Sequence, residues 1–249
     1  MLKFVAFALV LISASPVPAF APAATAPQSA QPVTSQATEL AQLMSPRAIL
    51  VDMEVREFDK HFVASLRSDA EMKALDDQYP GLFEAMHKAS RGLVADAMGR
   101  SVGKIHTSVA KLIEASFTAA DIVELTTFYR SPVGRKTVSQ MAASADASEI
   151  YRRAVEKSDF KLTEDQISAQ VHQSAQKTAQ SFTPEEQVDM MLFMAKPSFG
   201  KLAKAQPQIQ KILADEFNAP DPDFDRQIEQ AMGAAIEHHI ASFEESGGK

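Results

Sequence analysis

One stretch constrains this chain more than any other. Ser116 to Lys136 reads Ser-Phe-Thr-Ala-Ala-Asp-Ile-Val-Glu-Leu-Thr-Thr-Phe-Tyr-Arg-Ser-Pro-Val-Gly-Arg-Lys, and the same plan returns 65 residues later from Ser181 to Lys201. Seven positions are identical: Ser116/Ser181, Phe117/Phe182, Thr118/Thr183, Val123/Val188, Phe128/Phe193, Pro132/Pro197 and Lys136/Lys201. Asp121/Glu186, Glu124/Asp189 and Leu125/Met190 are chemically similar partners. A chain that carries the same local instructions twice is expected to build the same unit twice.

The instructions are those of a helix, a tight corner and a second helix. Thr118 followed three residues later by Asp121 predicts a capping box, with Phe117 and Ile122 spaced as a hydrophobic staple. In the second copy Thr183 and Glu186 repeat the box, Pro184 takes the first helical position, and Gln187 breaks the staple. Each first arm must stop before its proline, Pro132 or Pro197, because proline disfavours helical backbone in the residue before it and clashes with the turn behind. Ser131 then caps a helix that begins at Pro132. Phe128 and Phe193 fall at equivalent late positions of the first arms.

Phe128-Tyr129-Arg130-Ser131-Pro132-Val133-Gly134-Arg135-Lys136, preceded by Phe117-Thr118, resembles the signature of a family of small exported bacterial helical proteins, the domain-of-unknown-function family twenty fifty-nine. The likeness covers roughly twenty residues of the first copy. The second departs from it, with Met194 for Tyr129, Lys196 for Ser131 and the glycine displaced to Gly200. The resemblance implies an exported helical domain; the family has no assigned activity, so it brings no ligand and no catalytic residue.

Met1-Leu2-Lys3, the apolar run Phe4–Ile12 and the small residues that follow have the three parts of a secretory signal peptide, read here as residues 1–21. The apolar run is too short to span a bilayer, so no transmembrane segment is expected in the mature chain. Pro22 to Thr38, almost wholly Ala, Pro, Gln, Ser and Thr, reads as a disordered linker. The absence of cysteine excludes disulfides, free thiols and lipid attachment at a cysteine, and is compatible with an oxidising, periplasmic location. A formal net charge of -7 argues against nucleic acid and anionic membrane surfaces.

Beyond Thr38 the apolar spacing is helical throughout, and the expected fold is an all-α multi-helix bundle of two degenerate halves, residues 39–144 and 145–249. The first substantial helix is expected from about Ser45-Pro46 to Leu66, a short one capped by Ser68 follows, and the longest runs from Leu82 to about Ile113. On that helix Gly92, Ala95, Gly99 and Gly103 recur at three and four residues, which predicts close approach by another helix backbone, with a hinge or ligand groove as the alternative. Further helices are expected over Asp146–Lys157, over Thr163–Gln180 with a third capping box from Thr163 and Gln166, and over Asp223–Phe243 after the Pro220-Asp221-Pro222 break.

No residue pattern carries a recognisable chemistry. His238-His239 point about 100° apart on a helix and read as core or interface residues rather than metal ligands; His61, His87, His106 and His172 stand alone. Met190, Met191 and Met194 offer thioethers to a soft metal, but methionine at this spacing reads first as pliable apolar surface. Asp121, Glu124, Glu186 and Asp189 are accounted for by capping and the helix dipole before any acid–base role. Lys136 and Lys201 read as side chains folded over their own corners to cover apolar surface. No catalytic, cofactor or metal residues are therefore assigned. The expected function is a non-catalytic exported module that binds another envelope protein or itself; a binding protein for an apolar small molecule between the halves, and an enzyme with an unrecognised site, are the alternatives.

Overall fold

The computed structural model describes residues 35–150, 153 and 161–247. The export segment, the linker up to residue 34 and most of the Asp146–Lys157 stretch beyond Ile150 lie outside these residues. Among the described residues all regular structure is helical, as the spacing predicts, and the fold is an all-α multi-helix bundle.

Its axis is α4, Leu82–Ser116, which at about 1.5 Å per residue is roughly 50 Å long. The helices α1 (Ser35–Met44), α2 (Arg47–Ser68), α9 (Pro197–Asn218) and α10 (Pro222–Glu245) all pack against it. Glycine is required where α4 starts, since Gly81 sits at φ 94°, in the left-handed region. The C-terminal part of α4 enters the main core through Val102, Ile105, Val109 and Ile113, with residues from both sequence halves. Its N-terminal part enters a second cluster with Phe58 and Phe62 of α2 and Phe224 of α10. The last helix thus docks on the first part of the chain: His239 Nε2 lies 3.2 Å from the Pro80 carbonyl, and Phe243 meets Tyr79 edge-on at 5.7 Å.

Several expectations need correction. Helix α1 begins at Ser35, inside the stretch read as linker, because Ala37, Leu40, Ala41 and Met44 form a one-sided apolar stripe that is wholly buried. The cap of α3 (Ala70–Gln78) is Asp69, whose carboxylate accepts from the backbone N–H groups of Glu71 and Met72; the Ser68 hydroxyl donates to the Ser65 carbonyl instead. The nearest neighbours of the α4 glycines are a side chain or open space, not another helix backbone. Gly92 and Gly103 are exposed, and Gly99 makes room for the Arg47 guanidinium. On α10 the expected helix does form, with Phe224 buried and Ile228, Met232 and Ile236 packed against the second cluster.

The duplicated stretch forms α5 (Ala119–Arg130) with α6 (Pro132–Ser144), and α8 (Pro184–Met194) with α9. Between them runs α7, Glu164–Ala179, whose Thr163–Gln166 capping box forms as expected. The units pack crosswise, α6 against α8 and α9 against α5.

Candidate functional site

The start of α5 is set locally. Thr118 Oγ1 accepts from the Asp121 N–H at 3.3 Å, and Asp121 Oδ2 accepts from the Thr118 N–H at 2.8 Å and hydroxyl at 2.6 Å. Thr183 and Glu186 build the same box at α8, where the Gln187 amide, in place of a staple, donates to the Phe182 carbonyl at 3.3 Å. Ser131 caps α6 by accepting from the Gly134 N–H at 3.0 Å. Gly134 is needed because a Cβ there would stand 2.0 Å from the Phe128 carbonyl oxygen. The second corner has Phe199 at the equivalent position, and its Gly200 faces open space.

These two caps are then joined across the copies. Lys201 Nζ donates to Asp121 Oδ2 at 2.5 Å, and Lys136 Nζ donates to Glu186 Oε2 at 2.5 Å and to the Ser181 carbonyl at 3.0 Å. Exchanging the two stretches maps one ion pair onto the other. The lysines therefore do not fold over their own corners; each closes the capping box of the other copy, and Lys136 also lies 5.5 Å above the Phe182 ring. Phe128 and Phe193 stack face to face between them, with centroids 3.5 Å apart and planes 4° from parallel. Tyr129 is buried beside Phe128, whereas its counterpart Met194 is exposed.

The electrostatics follow from these partners. Lys201, then the hydroxyl and amide of Thr118, pull the Asp121 carboxyl down to about 2. Glu186 is lowered chiefly by Lys136, and Glu124 by the Ser198 hydroxyl at 2.5 Å and Lys196 at 2.9 Å. Three of the four carboxylates weighed from the sequence are thus held ionised, the opposite of what a proton donor near neutral pH requires. The Lys196–Glu124–Ser198 cluster has no sequence signal, since its members come from different copies.

Two grooves flank α8. One, about 780 Å³, lies between α5 and α8 over the Phe128–Phe193 stack, bordered by Val123, Thr127, Leu192 and the carboxylate of Asp189. The other, about 550 Å³, lies between α6, α7 and α8 and is bordered by Met141, His172, Met190, Met191 and Met194. Every large hydrophobic that is exposed among the described residues stands on α5 or α8: Val123, Val188, Met191, Leu192 and Met194. Leu192 is 62% exposed and Val123 55%.

Four histidines are engaged elsewhere. His106 is buried against the Ser45 carbonyl at 2.7 Å, His87 bonds Asp59 at 2.8 Å, His61 bonds the Ser148 hydroxyl at 3.3 Å and lies 3.3 Å from the Glu57 carboxylate, and His239 reaches Pro80. Among the described residues no group of three or more His, Asp or Glu is placed to hold a metal ion, and no helix is long and apolar enough to cross a membrane.

Residues 103–150, which span the end of α4 and the whole of the first copy, match the model of a bacterial family described as "Uncharacterized protein conserved in bacteria (DUF2059)". The curated proteins and the solved structures yield no match to the chain.

Proposed function

We propose that the protein is a non-catalytic helical module of the cell envelope, and that the α5/α8 face docks an amphipathic helix of another envelope protein. The observation that carries this is an open groove between those two helices, floored by two phenylalanines and bordered by the exposed side chains of Val123 and Leu192. Apolar side chains gathered in one place on a surface mark an interaction site, whereas scattered ones need no explanation. Asp189 stands at the rim with no ion pair or hydrogen bond among the described residues, so the matching helix presents a Lys or Arg beside its apolar stripe. The N-terminal sequence supports export, and the low-held carboxylates support a role without acid–base chemistry.

A photo-crosslinking residue placed at Leu192, with Lys73 on α3 as control, tests the reading in cells that make the protein. The expected result is a discrete adduct at Leu192 whose linked peptide is an amphipathic segment of another protein, with a basic residue among its apolar ones. Linkage to this same chain, or adducts no different from those at Lys73, would overturn it.

A further inference from the structure

We propose that the groove between α6, α7 and α8 binds a soft monovalent metal ion, Cu(I) or Ag(I), through the imidazole of His172 and the thioethers of α8. From sequence, Met190, Met191 and Met194 were methionines on one helix with nothing opposite. The fold sets His172 of α7 and Met141 of α6 on the same groove. Four of the eleven methionines of the chain border this one groove.

The donor set decides the class of ion. Among the described residues the groove is bordered by thioethers, one imidazole, the hydroxyls of Thr137 and Thr178 and the amides of Gln176 and Gln187, without a carboxylate or a thiolate. Neutral sulfur and imidazole suit soft, singly charged ions, whereas Ca(II), Mg(II) and Mn(II) need oxygen ligands and structural Zn(II) sites use thiolates and several imidazoles.

His172 is free for this task. Among the described residues it makes no hydrogen bond or ion pair, unlike His61, His87, His106 and His239, and it lies on the same side of α7 as Ala175, Gln176 and Ala179, which border the groove with it. Met190 and Met194 are one turn apart on α8 and Met191 is three residues from Met194, so Met194 neighbours both, and all three border the groove. Met141 and Met190 are buried at the groove wall, while Met191, Met194 and His172 are exposed. The open volume exceeds what one ion fills. Methionine, unbranched with three rotatable bonds, closes that space by folding inward.

The test uses the full mature chain with ¹³C-methyl-labelled methionine and Ag(I) as the probe, since silver mimics Cu(I) without redox change. Saturation at one ion per chain is expected, with the methyl signals of Met190, Met191 and Met194 and the His172 ring signals moving together. The variant H172A/M191L/M194L alters exposed side chains only; with its thermal midpoint unchanged, its affinity measured against a competing soft-metal chelator falls at least tenfold. Silver binding that leaves those methyls unmoved, or wild-type affinity in the variant, would overturn the proposal. So would equal displacement by Zn(II), or movement of the same methyls by an apolar dye but not by silver.

Discussion

Asp121 gives the sharpest test of the interlock between the two copies. Its carboxyl lies at about 2 rather than 3.8, and at about 1.4 kcal/mol per pH unit that difference, taken whole, favours the folded state by roughly 2.4 kcal/mol at neutral pH. Lys201 is the first cause, with Thr118 supplying the rest. Because the Lys201 side chain is 43% exposed, water screens the pair and its own share falls to about 1 kcal/mol. A double-mutant cycle of D121N and K201M, read by urea unfolding at pH 7, should return a coupling near that value. The sign with pH is fixed: a carboxyl depressed in the folded state stabilises above its unfolded value and loses that contribution as pH falls from about 4 toward 2. The coupling should therefore shrink at pH 3. Lys136 serves Glu186 instead, so D121N with K136M should be additive within about 0.5 kcal/mol. A coupling below about 0.3 kcal/mol for Asp121–Lys201, or one no larger than for Asp121–Lys136, would refute the crosswise assignment.

Removing the helix starts should cost similar amounts. T118A and T183A each lose a cap worth about 1 kcal/mol, with T118A the more damaging because Asp121 also loses the Thr118 hydroxyl as a donor; equal midpoints for both variants and the parent in thermal unfolding would contradict this. G134A should destabilise by about 1–3 kcal/mol, since the new methyl meets backbone and not a movable side chain, while G200A should be neutral or slightly stabilising. His106 is depressed first by burial and then by Arg47, against the opposing bond to Ser45, so its neutral form belongs to the folded state. Stability should then fall as pH drops from about 6.5 through the lower folded value, and H106Q should flatten that part of the pH profile.

The local chemistry of the chain was legible because it is written in adjacent residues. Thr118–Asp121, Thr163–Gln166 and Thr183–Glu186 each fix a helix start within four residues, and the structure forms all three boxes. Errors arose where a local signal competed with a distant one. Ser35–Met44 was hidden by its linker-like composition, although Ala37, Leu40, Ala41 and Met44 keep helical spacing and owe their burial to α4 and α5. The glycine spacing on α4 looked like a helix contact but is answered, at Gly99 alone, by the Arg47 side chain. The crosswise lysines and the Met–His groove join residues 45 to 80 positions apart, or from three helices, which no periodicity within one element encodes.

Helix α8 brings these threads together. Of its residues only Met190 and Phe193 are buried, and it carries Val188, Met191, Leu192 and Met194 into solvent. What holds it is the packing of Phe193 on Phe128 and Phe199, the burial of Met190, the Thr183 cap and the Lys136–Glu186 pair. An element with so few buried contacts opens at lower free energy than a central helix. Amides from Val188 to Phe193 should therefore exchange with solvent well before those from Val102 to Val109 of α4, measured by hydrogen exchange on the free protein. Any occupant that binds only the closed form, a helix in the α5 groove or an ion in the α7 groove, must slow that exchange in proportion to its free concentration over its dissociation constant. Protection of α8 equal to that of α4 in the free protein would mean that α8 is already a core helix, and would remove the reason its two apolar flanks remain open.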